Sequence, residues 1–155
     1  MAEIFVHPAE SVEDIEKRLV HPNIRGLKCY HQLAQREATF NASIGEYLPE
    51  SAWELANRKK LCITLHMVKD DALANEDNMR YICEMSKKYP NAVLILAHAA
   101  RSFAAWTGIE SVEKLAHLEN VWFDFSAVCE PSAAFQIVKK AGYQIVTEKA
   151  QSYEK

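Results

Sequence analysis

Short apolar runs alternate with amphipathic stretches along most of this chain. Two runs dominate, Ile63-Thr-Leu-His-Met67 and Val93-Leu-Ile-Leu-Ala-His98, each brief, rich in aliphatic residues and carrying a histidine at or near its end. Runs of that length, bounded by turn residues, predict buried strands. Between them, Asn75 to Lys88 brings Met79, Ile82, Cys83 and Ser86 to one side at helical spacing, and Tyr89-Pro90-Asn91 closes the stretch. The pattern predicts a parallel strand–helix–strand unit with a histidine at the carboxyl end of each strand.

The same alternation extends both ways. Ile4-Phe-Val6 is a short strand-like run. Ser11 caps a helix whose apolar face is Val12, Ile15 and Leu19, with Asp14 three residues after the cap. His21-Pro22-Asn23 ends that helix, and Ile24 to Tyr30 reads as the first full strand, with Lys28 near its carboxyl end. His31 to Tyr47 is mixed in pattern and predicts a long loop with a short helix. Pro49 and Glu50 open the next helix, which carries Trp53, Leu55 and Ala56 inward and closes on Arg58-Lys59-Lys60. Beyond His98, the stretch from Arg101 to Trp106 predicts a loop over the same sheet end. Ile109, Val112, Leu115 and Ala116 then mark a helix, and Val121 to Ser126 a strand with Asp124 inside it. Pro131 starts a last helix that Gly142 ends, before a short run at Tyr143 to Val146. Residues 1–146 are expected to form one α/β domain and 147–155 a polar tail.

Successive strand residues Lys28, His66, His98 and Asp124 are 38, 32 and 26 positions apart. A (β/α)8 barrel of about 250 residues spends about 31 per unit. The spacing therefore predicts a partial TIM-barrel-like fold of about five βα units. An open doubly wound sheet is the competing architecture, but no glycine-rich phosphate loop supports nucleotide binding.

Composition narrows the chemistry. The 155 residues are 49% apolar and 25% charged, with a formal charge of -3. That balance suits one globular domain and gives no electrostatic case for nucleic acid. No apolar run approaches the roughly 20 residues of a membrane span, and the start lacks the pattern of a signal peptide. Cys29, Cys62, Cys83 and Cys129 form no C-x-x-C pair, so reduced thiols and a cytoplasmic setting are expected. A small-molecule substrate and self-association through open sheet edges are the expected partnerships.

Parallel α/β proteins gather their chemistry at the carboxyl ends of strands, which makes His66 and His98 candidate site residues. Each also has a plain reading as a hydrogen-bonded rim residue. Lys28 is either a polar group at the site or a snorkelling edge residue.

Asn23-Ile-Arg-Gly-Leu-Lys28, Ile63-Thr-Leu-His66, Lys88-Tyr-Pro-Asn91 with Leu94-Ile-Leu-Ala-His98, and Asn120-Val-Trp-Phe-Asp124 with Ser126 together resemble the amidohydrolase-related family. These are metal-dependent hydrolases and decarboxylases on a TIM barrel. The resemblance runs from about Pro8 to Gly142 and implies barrel strands four to seven. It implies His66 as the strand-five metal ligand. His98 would be the strand-six histidine, a second ligand or a catalytic acid/base. Asp124 would be a strand-seven catalytic-site residue, with Lys28 and Arg101 lining the substrate, an acidic one in the case of Arg101. The implied cofactor is a divalent metal, zinc. The family's strand-one His-x-His pair and its Gly-Ser-Asp context after strand eight do not occur in this sequence. The implied function is thus a metal-dependent hydrolase in truncated or incomplete form, expected to be inactive as this chain alone. The alternatives are a non-catalytic, self-associating scaffold and, with less support, a small enzyme using His66, His98 and Asp124 without metal.

Overall fold

A computed structural model of the protein describes residues 2–69, 71–101, 111–128, 131–141 and 145–146. Among the described residues, six strands form one sheet: β1 (Ala2–Phe5), β2 (Ile24–Tyr30), β3 (Cys62–His66), β4 (Val93–Leu96), β5 (Val121–Asp124) and β6 (Ile145–Val146). Every neighbouring pair is parallel, and the spatial order is the sequence order, β1-β2-β3-β4-β5-β6.

That order separates the two candidate architectures. A doubly wound sheet reverses its strand order at a switch point, where the crossover helices change face. Here each crossover advances the sheet in the same direction, as in a barrel. Because βα crossovers keep one hand, successive helices then fall on one face. The helices are α1 (Val12–Arg18), α2 (Ile44–Tyr47), α3 (Glu50–Lys59), α4 (Glu76–Lys88), the short turn α5 (His98–Arg101), α6, of which residues 111–115 are described, and α7 (Pro131–Ala141).

Burial follows the pleat. Leu27 and Cys29, Ile63 and Leu65, Leu94 and Leu96, and Val121 and Phe123 are all buried, in one core with Trp53 and Leu55 of α3 and Ile82 of α4. The alternate residues point to the other face, the side a closed barrel would turn inward. There Lys28, Tyr30, His66, Trp122 and Asp124 stay half-buried, and Phe5 is 57% exposed. The sheet is therefore packed on its helical side and partly open on its inner side.

Local chemistry sets the element ends. The Ser11 side chain accepts from the Asp14 amide, as the cap pattern predicts. Asn75 caps α4 in the same way, accepting from the Asn78 amide. Lys60 closes α3 in the left-handed conformation after a last turn containing Arg58 and Lys59. The Asn120 amide nitrogen reaches the carbonyls of Ser86, Tyr89 and Ala92, tying the end of α4 to the start of β5. β5 stops at Asp124, two residues earlier than the apolar pattern suggests, because the Asp124 carboxylate turns back onto Ser126. Ala116, expected on the inner face of its helix, is exposed in the turn that follows it, whereas Val112 and Leu115 are buried. Ile109, Gly142 and the tail from 147 lie outside the described residues. No helix among the described residues is long and apolar enough to cross a membrane.

Gly26 is a point of close approach on the inner face. A Cβ there would run into the Cys62 sulfur and stand 3.0 Å from Glu3 Oε1. Gly26→Ala should lower stability by about 1–3 kcal/mol through overpacking. Urea unfolding of Gly26→Ala and of the double variant Gly26→Ala/Cys62→Ala checks this. The double variant should recover most of the loss, and no recovery would place the strain elsewhere.

Candidate active site

Register brings the site together before any loop does. Tyr30 pairs with His66 across β2 and β3, and Lys28 pairs with Thr64 two residues earlier. Side chains at paired positions of parallel strands share a face, so Tyr30 and His66 stand side by side. Their rings stack, with centroids 4.6 Å apart and planes 16° from parallel. Phe5 lies 6.0 Å beyond Tyr30, extending the aromatic row to β1.

His98 follows β4 after Ala97. Its ring meets His66 edge to face, with centroids 5.0 Å apart at 80°. The backbone there is unusual: His98, Ala99 and Ala100 have φ of 56°, 48° and 61°. Left-handed conformations cost L-residues free energy and persist only where surrounding contacts hold them. For His98 that contact is the loop after β5. Its Nδ1 lies 2.8 Å from the Ser126 carbonyl and 3.2 Å from Ser126 Oγ. A carbonyl only accepts, so Nδ1 carries a hydrogen in this contact.

Ser126 is held in turn by Asp124. The carboxylate accepts from the Ser126 amide at 2.9 Å and from its hydroxyl at 2.5 Å. Asp124, Ser126 and His98 thus form one connected group spanning the ends of β4 and β5.

A third imidazole stands close by. His31, directly after β2, is only 3% exposed; its ring lies 5.9 Å from His66 and 4.8 Å from Phe40, and its Nδ1 is 3.2 Å from Thr39 Oγ1. The sequence reading passed over it, although it occupies the strand-end position that singled out His66 and His98. Ser126 was read only as part of a motif, since nothing in the sequence links it to His98.

Lys28 lies on β2, which is flanked by β1 and β3, so it is not on an edge strand. It lines an open cavity of about 430 Å³ with Phe5, Tyr30, Gln32 and Leu33. The cavity adjoins His66 through the stacked Tyr30 ring. The Arg101 side chain and the loop from Ser102 to Trp106 lie outside the described residues.

The described cysteines do not supply a nucleophile. Burial, followed by the nearby Glu3 carboxylate, pushes both the Cys29 and Cys62 thiols up to about 12. Burial also raises the Cys83 thiol. The thiolate is the reactive form, and it is scarce at neutral pH in all three.

A catalytic zinc takes about three protein ligands and an open position. His66 and His98 match that ion in donor type. The Nδ1–H bond of His98 to a backbone carbonyl also has the form seen around metal-bound imidazoles. Among the described residues no three His, Cys, Asp or Glu side chains are grouped to hold a metal.

Comparison with known proteins gives a consistent picture. The sequence model of the amidohydrolase family, described as "Amidohydrolase", matches residues 4–144. No curated protein matches the chain significantly. Among solved structures, an amidohydrolase from Burkholderia multivorans with bound HEPES superposes with a TM-score of 0.64 at 13% identity, covering 92% of this chain and 55% of that one. An amidohydrolase structure from the same organism with bound zinc gives 0.62 at 13% identity, covering 88% and 54%. Amidohydrolase 2 from Bifidobacterium longum subsp. infantis gives 0.53 at 16% identity, covering 88% and 60%. The shared feature is the fold, and this chain spans a little over half the length of the first two structures.

Iodoacetamide labelling at mildly alkaline pH, read by mass spectrometry, tests the thiol assignment. Of the three described cysteines, half-buried Cys83 should label first, with Cys29 and Cys62 protected until the chain is unfolded. Early labelling of Cys29 or Cys62 in the folded protein would contradict the buried, protonated state described here.

Proposed function

The chain belongs to the amidohydrolase family, and from that premise we propose that it carries part of the active site of a metal-dependent hydrolase. The observation behind this reading is the meeting of His66 and His98 at the carboxyl ends of β3 and β4, 5.0 Å apart. In this reading the two imidazoles would hold a divalent metal, zinc, as two of its donors. A bound zinc would polarise a substrate carbonyl and acidify a water.

The chain's own groups then divide the work. His66 is held by the stacked Tyr30 ring and by its edge-to-face contact with the His98 ring. His98 presents Nε2 as a donor or as an acid/base group, and Asp124 is its carboxylate partner through Ser126. Lys28, with Phe5 and Tyr30 as cavity walls, contacts a small-molecule substrate, and Arg101 is the residue assigned to an acidic group on it. Residues 1–146 act as one domain in this reading.

Zinc titration of the metal-stripped chain, followed by calorimetry and thermal melting, tests the proposal. Binding near one equivalent is expected, with stabilisation of about 2.7 kcal/mol when free zinc is a hundredfold above Kd. His66→Ala and His98→Ala should each weaken binding at least tenfold. Equal affinity in the wild type and both variants would remove the metal site from these residues.

The sheet supports a second reading, a self-associating scaffold. β1 and β6 are the edge strands, and Phe5 of β1 is 57% exposed. An open parallel edge is a template for pairing with another chain. Light scattering over a concentration series should show growth of a dimer under this reading, which replacing Phe5 with Lys would suppress. A monomer at all concentrations would exclude it.

A further inference from the structure

We infer that Asp124 and Ser126 are positioning residues that set which nitrogen of His98 carries its hydrogen. This rests on the reading of His98 as a functional imidazole and assigns a device to it. The inference comes from the direction of four contacts. Asp124 accepts twice from Ser126, once from the amide and once from the hydroxyl. The amide bond closes a tight ring two residues long, in which an aspartate imitates a backbone turn. A second bond, from the Val128 amide to the Phe125 carbonyl, continues the turn, and Ala127 within it has a φ of 60°. With its amide and hydroxyl both committed to Asp124, the Ser126 peptide has little freedom, and its carbonyl faces Nδ1 of His98 at 2.8 Å. The hydroxyl, having given its hydrogen to Asp124, offers an oxygen lone pair to the same Nδ1 at 3.2 Å.

Both acceptors facing Nδ1 therefore ask for a hydrogen there, and neither can supply one. The neutral ring is held as the Nδ1–H tautomer, with its lone pair on Nε2. The same bonds anchor a residue whose φ of 56° is costly for a side chain of this size. Asp124 thus acts on His98 from one residue away, without meeting a substrate.

Nitrogen-15 NMR of the full chain, stripped of metal with a chelator, tests the inference. Spectra are read at alkaline pH. Wild-type His98 should show Nδ1 at the shift of a hydrogen-bearing nitrogen and Nε2 at that of a bare one. In Asp124→Ala the Ser126 peptide is released, and the two shifts should move toward each other as the tautomers mix. Asp124→Asn keeps an acceptor for the Ser126 amide but loses one for the hydroxyl, so an intermediate shift is expected. A purely structural role would disturb backbone amides across the fold and leave the His98 tautomer as it was. If Asp124→Ala does not fold, the intermediate shift in Asp124→Asn carries the test. A wild-type ring with its hydrogen on Nε2 would overturn the inference, as would wild-type shifts in a folded Asp124→Ala or in Asp124→Asn. The readout needs no metal and no turnover. Failure of zinc to bind would remove the metal reading and leave this result standing.

Discussion

Parallel strand register is the constraint on which the rest of this structure depends. In a parallel ladder, paired residues share a face, and every strand runs the same way. The side chains at the carboxyl ends therefore collect on one rim. Tyr30 against His66 follows directly from the β2–β3 pairing, and His98 arrives beside them because β4 ends one strand further along the same rim. A one-residue slip between β2 and β3 would send Tyr30 and His66 to opposite faces, since the side-chain period is two. It would also turn Leu27 and Cys29 away from the helices. The apolar core and the polar rim thus fix the same register, and core burial supplies the free energy that holds the imidazoles in place.

Beyond the strand ends, polar bonds take over from packing. Three consecutive residues from His98 to Ala100 adopt left-handed backbone, without a glycine among them. Two are alanines, whose small side chains keep the cost down. The third is tied to Ser126, and Ser126 to Asp124. On the inner face, nearer the amino ends of the strands, Thr64 donates to Glu3, and the Cys62 sulfur stands between Glu3 and the Arg25 carbonyl. The inner face therefore has a packed, polar floor at one end and an imidazole-rich mouth at the other.

Much of this was legible in the sequence, for identifiable reasons. β2 runs from Ile24 to Tyr30 as its apolar run suggests, because Pro22 and Asn23 mark one end and the turn at His31 the other. The cap at Ser11 and the cationic last turn of α3 are local effects that short stretches of sequence encode. The strand order was not legible, because spacing alone suits a barrel or a doubly wound sheet. The path after β4 was hidden too, since alanines at positive φ leave no compositional mark. His31 and Ser126 were missed as site residues for another reason. Their roles depend on side chains from different strands meeting, which needs the register and the loop paths together. Lys28 stands between these cases: its strand position was readable, its place on a cavity wall beside Tyr30 was not.

The central claim is that the imidazoles of His66 and His98 meet at one rim of the sheet. Proton–proton nuclear Overhauser contacts between the two rings, assigned with His66→Ala and His98→Ala, measure that most directly. Rings in edge-to-face contact should give cross-peaks between their carbon-bound protons, and His66 should show a further set to the ring of Tyr30. A folded protein with well-resolved imidazole signals and no contact between these two rings would contradict the account.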